Sequence, residues 1–163
     1  SSETKFNIIS CMYALHYCFR DIEMLNGLID NISSHVAEGG YFIGTCFNGN
    51  TIFNSLQRQD VIEFSENDTM KLRINKSYSH TSFENDETSL GYKIDVLMHS
   101  IGTINSEYLV NFDYLQNRLE AEGFSLVSKI NYDQIEDSQK AKFRMSSVEE
   151  KMSNLNMLFI FRK

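Results

Sequence analysis

The residue types best suited to contact a flat ligand are concentrated in one short segment, SCMYALHYCF, residues 10–19. It places three aromatic rings and a histidine directly after an apolar run. Aromatic rings can stack on a flat ligand, and an imidazole can donate or accept a hydrogen bond. A structural interpretation also exists, because a histidine flanked by Leu15 and Tyr17 is commonly a hydrogen-bonded core residue. Tyr13 and Tyr17 could likewise be core aromatics, so the residue types alone leave both interpretations open.

The secondary structure predicted around residues 10–19 indicates where this segment lies in the fold. Residues 6–12, FNIISCM, are short, apolar and β-branched, which favours a strand covered on both faces. Apolar residues then recur at helical spacing: Leu25, Leu28, Ile29, Ile32 and Val36. Asp21 is the predicted N-cap of this helix, and Gly39-Gly40 is its predicted end. Residues 41–46, YFIGTC, predict the next buried strand, so a right-handed parallel crossover is expected.

The rest of the chain predicts a half-sheet with a mixed strand order. The predicted elements are a short helix at 50–57, irregular strands at 60–80, an acidic loop at 82–89, a strand at 92–98, a helix at 106–122, a strand at 124–132, a short helix at 146–153 and a strand at 157–161; residues 140–143 favour no element. The expected fold is therefore an α/β sheet, mostly parallel, with an antiparallel carboxyl-terminal part. Ligands bind beyond the carboxyl ends of parallel strands, and residues 13–19 and 46–50 are expected there.

Length and composition exclude several classes of protein. A chain of 163 residues with 42% hydrophobic residues predicts one globular domain. No apolar run approaches the roughly 18 residues that a membrane span needs, so no membrane partner is expected. The net charge of -7 argues against a protein that binds long nucleic acid through phosphate contacts. A small or terminal nucleotide remains an open possibility.

The cysteines and histidines predict no metal site. Cys11, Cys18 and Cys46 are odd in number and lack CxxC spacing, which argues against a disulfide framework or a zinc site. His80 and His99 have no partners at ligand spacing. The first residues show no signal peptide, so we expect an intracellular protein, cytoplasmic or virion-associated and not secreted.

Most of the chain resembles the carboxyl-terminal portion of the mRNA cap guanine-N7 methyltransferase family. The resemblance rests on four segments in the same order and at similar spacing: FNIISCMYALHYCF, VAEGGYFIGTCFNGNTIFNSL, SEYLVNFDYLQNRLEAEGFSLV and NMLFIFRK. Viral capping enzymes are the closer match. The resemblance implies a partial class I, Rossmann-like methyltransferase sheet. It also implies transfer of a methyl group from S-adenosylmethionine to N7 of the guanosine cap of mRNA.

The resemblance further implies which residues contact the substrate. The residues that match cap-guanine positions are Tyr13, His16, Tyr17 and Glu107. Asn156 falls about where relatives place a cap-contacting tyrosine, so it is also expected at the pocket. Considered alone, Glu107 is interpreted as a carboxylate at a helix start, with Asn105 or Ser106 as the cap, which is compatible with base recognition.

The methyl donor is expected beside Ser10, Cys11 and Met12. Two departures from the family stand nearby: Met12 replaces a common glutamine, and Phe47 follows GTC where a proline is usual. No catalytic residue is expected, because guanine N7 has a free lone pair and needs no general base. Rate then comes from positioning, which can supply about 7 to 11 kcal/mol.

A glycine-rich turn and an acidic residue bind the methyl donor in this family, and both precede the part that this chain matches. None of the eight glycines forms a GxGxxG pattern. Residues 1–163 are therefore expected to be the carboxyl-terminal, substrate-side portion of a methyltransferase domain, inactive by itself. Expected partners are the 5′ end of capped RNA and either the missing donor-binding segment or another capping subunit.

Two other functions remain open from the sequence. One is a non-catalytic methyltransferase-like module that pairs with an active subunit and stimulates it. The other is a methyltransferase for a small metabolite, because the acidic charge suits a compact substrate. The latter leaves the ordered agreement of ALHY, GTC and EYLV unexplained.

Overall fold

A computed structural model describes residues 4–136, 139 and 144–163. Residues 140–143, for which the sequence favoured no element, lie outside the described residues. In chain order the elements are β1 (Phe6–Met12), a 3₁₀ turn (Leu15–Phe19), α1 (Ile22–His35), β2 (Val36–Phe47), α2 (Gly49–Ser55), β3 (Val61–Glu66), β4 (Thr69–Lys76), a 3₁₀ turn (Glu87–Ser89), β5 (Lys93–Met98), β6 (Ile104–Tyr108), α3 (Phe112–Ala121), β7 (Ser125–Asn131), a 3₁₀ turn (Tyr132–Gln134), α4 (Ser147–Ser153) and β8 (Asn156–Arg162).

The first sheet has the strand order β1-β2-β8-β7. Strands β1 and β2 pair in parallel, with α1 as the crossover between them, which confirms the predicted order of strand, helix and strand. The prediction that β1 is covered on both faces is wrong for this chain, because β1 is an outer strand and its residues are exposed or half-buried. Strand β8 is antiparallel to both β2 and β7. Because two antiparallel pairings restore the direction, β7 runs the same way as β1 and β2. The carboxyl ends of these three strands therefore meet at one edge of the sheet.

The second sheet is an antiparallel meander of β3, β4, β5 and β6. For the first half of this second sheet, β3 and β4, the sequence predicted only irregular strands. Within the described residues, β1 and β2 form a parallel pair and the other five strand pairs are antiparallel. The predicted antiparallel carboxyl-terminal part is present, as β7 and β8.

Two predicted helix boundaries are wrong. Helix α1 ends at His35 and β2 begins at once, so Gly39 and Gly40 lie inside the strand and are not a helix cap. A Cβ atom on Gly40 would lie 3.0 Å from the carbonyl oxygen of Asn7, which explains why a residue without a side chain stands there. The helix predicted at 106–122 begins only at Phe112, because the preceding residues pair with β5 as a strand.

Helices α1 and α3 each have a side-chain N-cap. The Asp21 carboxylate accepts a hydrogen bond from the backbone N–H of Met24, as predicted. Asn111, which is fully buried, caps α3 by accepting from the N–H of Tyr114 and donates to the carbonyl oxygen of Glu84. None of the helices in the described residues is long and apolar enough to cross a membrane.

Two apolar clusters hold the fold together. The first joins the first sheet to α1 and α3 and includes Leu25, Ile29, Phe42, Leu115, Phe159 and Phe161. The second joins the second sheet to α2 and includes Ile52, Phe53, Leu72, Ile74, Ile94 and Val96. The cleft of interest lies where the carboxyl edge of the first sheet faces the apolar side of the second.

Candidate functional site

A cavity of about 710 Å³ opens between the carboxyl edge of the first sheet and the inner face of the second. Side chains from both sheets, from α4 and from the 3₁₀ turns line it. They are Tyr13, His16, Tyr17, Phe47, Leu72, Val96, Met98, Ile101, Asn105, Glu107, Tyr132, Glu149, Met152, Ser153 and Asn156. The cavity therefore brings together all five residues that the sequence placed near a substrate, from three separate parts of the chain.

Tyr13 and Tyr17 present their rings to this cavity. Tyr13 follows β1 directly, and its backbone adopts a positive φ of 54°, which is unusual for a residue other than glycine. Its backbone N–H donates to the carbonyl oxygen of Thr45 at 2.9 Å, which keeps it against β2 beyond the last strand pair. The side chains are half exposed, at 55% for Tyr13 and 50% for Tyr17, so the core interpretation of these tyrosines is wrong.

His16 is buried at the same edge and faces Glu107. Its Nδ1 atom lies 3.5 Å from Oε2 of Glu107. Its ring also contacts that of Tyr17 edge to face, with 4.2 Å between centroids. Among the described residues, His16 Nε2 is buried and has no hydrogen-bond partner. A buried polar atom without a partner is costly, so this nitrogen is a natural contact for a ligand.

Glu107 lies in β6 and not at a helix start, so that part of the sequence prediction is wrong. In the pairing with β5, Glu107 is opposite Ile94 and Asn105 is opposite Val96. Side chains alternate along a strand, so Asn105 and Glu107 share the inner face and both line the cavity. The strand register, and not a helix dipole, thus directs the carboxylate toward His16.

Burial shifts both titratable groups toward their neutral forms. Desolvation raises the pKa of Glu107 to about 7 and lowers the pKa of His16 to about 4. The two groups are near enough for a charged contact, but at neutral pH the imidazole carries no charge and the carboxyl group is close to its titration midpoint. In the free protein they are therefore better described as a polar pair than as an ion pair.

Asn156 lines the cavity at the first residue of β8, but part of its side chain is already engaged. Its amide nitrogen donates to the carbonyl oxygens of Met152 and Ser153, at 3.3 Å and 3.0 Å. These carbonyls lie at the end of α4, where helical partners run out. The amide oxygen of Asn156 is the group left for a ligand.

Ser10, Cys11 and Met12 lie at the end of β1 and do not line the cavity. Ser10 and Met12 are exposed, and Cys11 is half-buried. Burial raises the pKa of the Cys11 thiol, which makes it a poorer nucleophile. Within the described ranges, no group of three or more histidines, cysteines and carboxylates is placed to hold a metal ion.

Sequence reasoning missed Tyr132 and the residues of α4. Tyr132 follows β7, and its hydroxyl oxygen lies 3.1 Å from that of Tyr13. The rule that identified Tyr13, a position just after a strand that ends at this edge, applies equally to Tyr132. The sequence alone does not give the direction of β7, because that direction depends on its pairing with β8. Glu149, which lines the cavity from α4, had no comparable signal.

Comparison with known proteins identifies the family. The family model for the mRNA (guanine-N(7))-methyltransferase domain matches residues 1–158. A probable mRNA-capping enzyme of Acanthamoeba polyphaga mimivirus is 30% identical over 161 residues, which are 93% of this chain and 13% of that protein. The mRNA cap guanine-N(7) methyltransferase 1 of Arabidopsis thaliana is 26% identical over 126 residues, 77% of this chain and 33% of the relative. The chain thus spans a third or less of these two relatives.

Solved structures identify the fold. An S-adenosylmethionine-dependent methyltransferase from Mesorhizobium loti superposes with a TM-score of 0.56 at 13% identity, covering 98% of this chain and 62% of that one. A methyltransferase of the same description from Clostridium acetobutylicum gives a TM-score of 0.54 at 11% identity, covering 98% and 58%. With the α/β fold of S-adenosylmethionine-dependent methyltransferases and a domain match over nearly its whole length, the chain belongs to the mRNA (guanine-N7)-methyltransferase family.

Proposed function

We propose that this chain forms the cap-guanine pocket of an enzyme that methylates N7 of the guanosine cap of mRNA. The observation that carries the proposal is the meeting of Tyr13, His16, Tyr17 and Glu107 on one cavity. Two of these residues supply half-exposed rings, and the other two supply polar groups at 3.5 Å from each other. The volume of about 710 Å³ leaves ample room for a purine.

Guanine offers groups that fit this arrangement. Its flat ring can stack on Tyr13 or Tyr17. An ionised Glu107 accepts hydrogen bonds from the guanine N1–H and N2–H groups, and a neutral His16 that carries its proton on Nε2 can donate to O6. Within the described part of the chain, the lining contains the carboxylates of Glu107 and Glu149 and no lysine or arginine. The cavity therefore suits the base better than the phosphates of a capped RNA.

Methyl transfer to N7 needs no proton transfer. Bound S-adenosylmethionine supplies a sulfonium methyl group; the N7 lone pair forms the new bond to carbon while the S–CH₃ bonding pair returns to sulfur. The residues of this chain have to hold the purine so that N7 faces the donor, and orientation of this kind is a large source of rate. A neutral His16 beside the base is compatible with this chemistry, since no general base is required.

We further propose that the donor binds next to Ser10, Cys11 and Met12 and that its main binding residues come from outside this chain. The sequence lacks the glycine-rich turn that binds it. Among the described strands, β1 pairs only with β2, so the backbone groups of its other edge are unpaired by a strand. On one face of β1, Phe6, Ile8 and Met12 are exposed, at 49%, 59% and 49%. An unpaired strand edge beside an exposed apolar face suits the addition of a further strand. We propose that a donor-binding segment pairs with this edge of β1. We also propose that the enzyme is intracellular.

The proposed base selectivity can be tested on the chain itself. Binding of GpppA, ApppA and guanosine triphosphate should be compared by calorimetry. We expect GpppA and guanosine triphosphate to bind and ApppA to bind at least tenfold more weakly, because adenine lacks the N1–H and N2 donors. Equal binding of GpppA and ApppA would overturn the guanine pocket.

Activity can be tested after assembly with a donor-binding segment from a related enzyme. If the assembled enzyme methylates GpppA-capped RNA and the double variant His16→Ala, Glu107→Ala does not, the cavity is a catalytic pocket. Methylation that depends on the chain but survives both substitutions would instead favour the non-catalytic, stimulating module. Transfer to small-molecule acceptors without transfer to capped RNA would favour the metabolite enzyme.

A further inference from the structure

The hydroxyl groups of Tyr13 and Tyr132 meet across the full width of the first sheet. Tyr13 follows β1 and Tyr132 follows β7, which are the two outer strands in the order β1-β2-β8-β7. Their oxygen atoms lie 3.1 Å apart, within hydrogen-bond distance. The two side chains thus form a bridge over the ends of β2 and β8 at the mouth of the cavity.

Tyr13 needs an external support for its ring. Its φ of 54° is a backbone conformation that L-residues rarely adopt, and its ring is more than half exposed. Neighbouring core atoms therefore do not fix the orientation of the ring. Among the described residues, the Tyr132 hydroxyl is the only hydrogen-bond partner of the Tyr13 side chain.

Tyr132 is well placed to give that support, because the residue before it is held at two points. The backbone N–H of Asn131 donates to the Gln134 side-chain oxygen at 3.1 Å. Its side-chain oxygen accepts a 2.8 Å hydrogen bond from the Asn48 amide, which follows β2. Burial, together with the Tyr13 contact, raises the pKa of Tyr132, so its hydroxyl keeps its proton.

We propose that Tyr132 is a positioning residue for the base: its hydroxyl holds the ring of Tyr13 in the plane on which the guanine stacks. The proposal rests on the proposed function. Tyr132 was not among the residues that the sequence resemblance implied, and its role is to reduce the number of ring orientations of Tyr13 before the base arrives. Preorganised contact surfaces bind more tightly because less freedom is lost on binding.

The test is a double-substitution cycle that removes hydroxyl groups only. Tyr13→Phe, Tyr132→Phe and the double variant should each weaken GpppA binding by about 3- to 10-fold, and the double variant should be no weaker than either single one. In the assembled enzyme, KM for capped RNA should rise by the same factor. Tyr41→Phe is the matched control, because Tyr41 lies in the first half of β2 and does not line the cavity. Full affinity of Tyr132→Phe, or multiplication of the single effects in the double variant, would overturn the proposal.

A second measurement does not depend on any ligand. In protein with ¹³C-labelled tyrosine rings, the Tyr13 resonance, assigned through Tyr13→Phe, should shift or broaden in Tyr132→Phe and stay unchanged in Tyr41→Phe. An unchanged Tyr13 resonance in Tyr132→Phe contradicts the bridge. If the parent chain does not bind GpppA, the proposed guanine pocket is wrong. The resonance of Tyr13 in Tyr132→Phe still tests the hydrogen bond between the two tyrosines in that case.

Discussion

Nδ1 of His16 and Oε2 of Glu107 lie 3.5 Å apart, although one residue belongs to the turn after β1 and the other to the last strand of the second sheet. This contact joins the two sheets at the cavity. Both side chains are largely buried there, so water screens them little. The polar end of the cavity is thus built by a tertiary contact and not by a local motif.

Replacing the carboxylate should weaken guanine binding. We expect Glu107→Gln to lower the affinity for GpppA by about 10- to 100-fold, since hydrogen bonds to a charged group contribute about 1.5 to 3 kcal/mol. Glu38→Gln is the matched control, because the Glu38 side chain is 90% exposed and does not line the cavity. Calorimetry gives both values, and an affinity of Glu107→Gln within twofold of the parent would remove Glu107 from the pocket.

The imidazole should matter in the same assay. His16→Ala removes the buried Nε2 and the ring contact with Tyr17. We expect about tenfold weaker binding of GpppA and a circular dichroism spectrum like that of the parent. An unchanged affinity in a folded variant would show that His16 is only structural.

Guanine binding should increase with pH. Burial raises the pKa of Glu107 to about 7, and only the ionised form accepts from N1–H and N2–H. From pH 6 to pH 8 the ionised fraction rises about tenfold, and the affinity for GpppA should follow. His16 stays neutral over this range, because its pKa is lowered to about 4. The Glu107→Gln variant should show a flat profile, and a flat profile in the parent would exclude ionisation of Glu107 as a condition for binding.

Ionisation of the buried Glu107 should lower the free energy of unfolding at high pH. The folded-state pKa of Glu107 lies above its ordinary value of 4.5, so the folded state holds its proton more tightly than the unfolded state. Its stabilising contribution is complete below about pH 4.5 and is lost as the pH rises through 7. Urea unfolding at pH 5 and pH 8 should therefore show Glu107→Gln gaining stability relative to the parent as the pH rises. A constant difference would contradict the burial of this group.

Two glycine substitutions should have opposite effects. A Cβ atom on Gly49 would overlap the backbone of Val110, so Gly49→Ala should destabilise the fold by several kcal/mol, about 3 or more. Gly27 lies in α1 with nothing within 4 Å of an added Cβ, so Gly27→Ala should stabilise it by about 0.5 to 1 kcal/mol. Thermal unfolding of the two variants measures both effects. An equal change in melting temperature for Gly49→Ala and Gly27→Ala would mean that α2 does not pack against residue 110 as described.

Local patterns in the sequence were enough to predict the elements that carry the first half of the site. The apolar run of β1, the helical spacing of α1 and the Asp21 cap are all encoded within a few residues of each other, and the parallel crossover follows from their order. The position of residues 13–17 at a carboxyl end, and hence at a cavity, could be inferred from that order. The ordered segments that include ALHY, GGYFIGT and EYLV are also enough to show the resemblance to the family, which the family model confirms.

The rest of the site depends on contacts between distant parts of the chain, which no local pattern encodes. Residues 104–108 form a strand because β5 offers it hydrogen bonds, and that register alone turns Glu107 inward. Tyr132 reaches Tyr13 only because β7 runs parallel to β1 through two antiparallel pairings. By itself the sequence determined which residue types stand at the ends of its strands. Tertiary pairing decided which of those ends meet, because hydrogen bonds between strands are satisfied by partners far away in the chain.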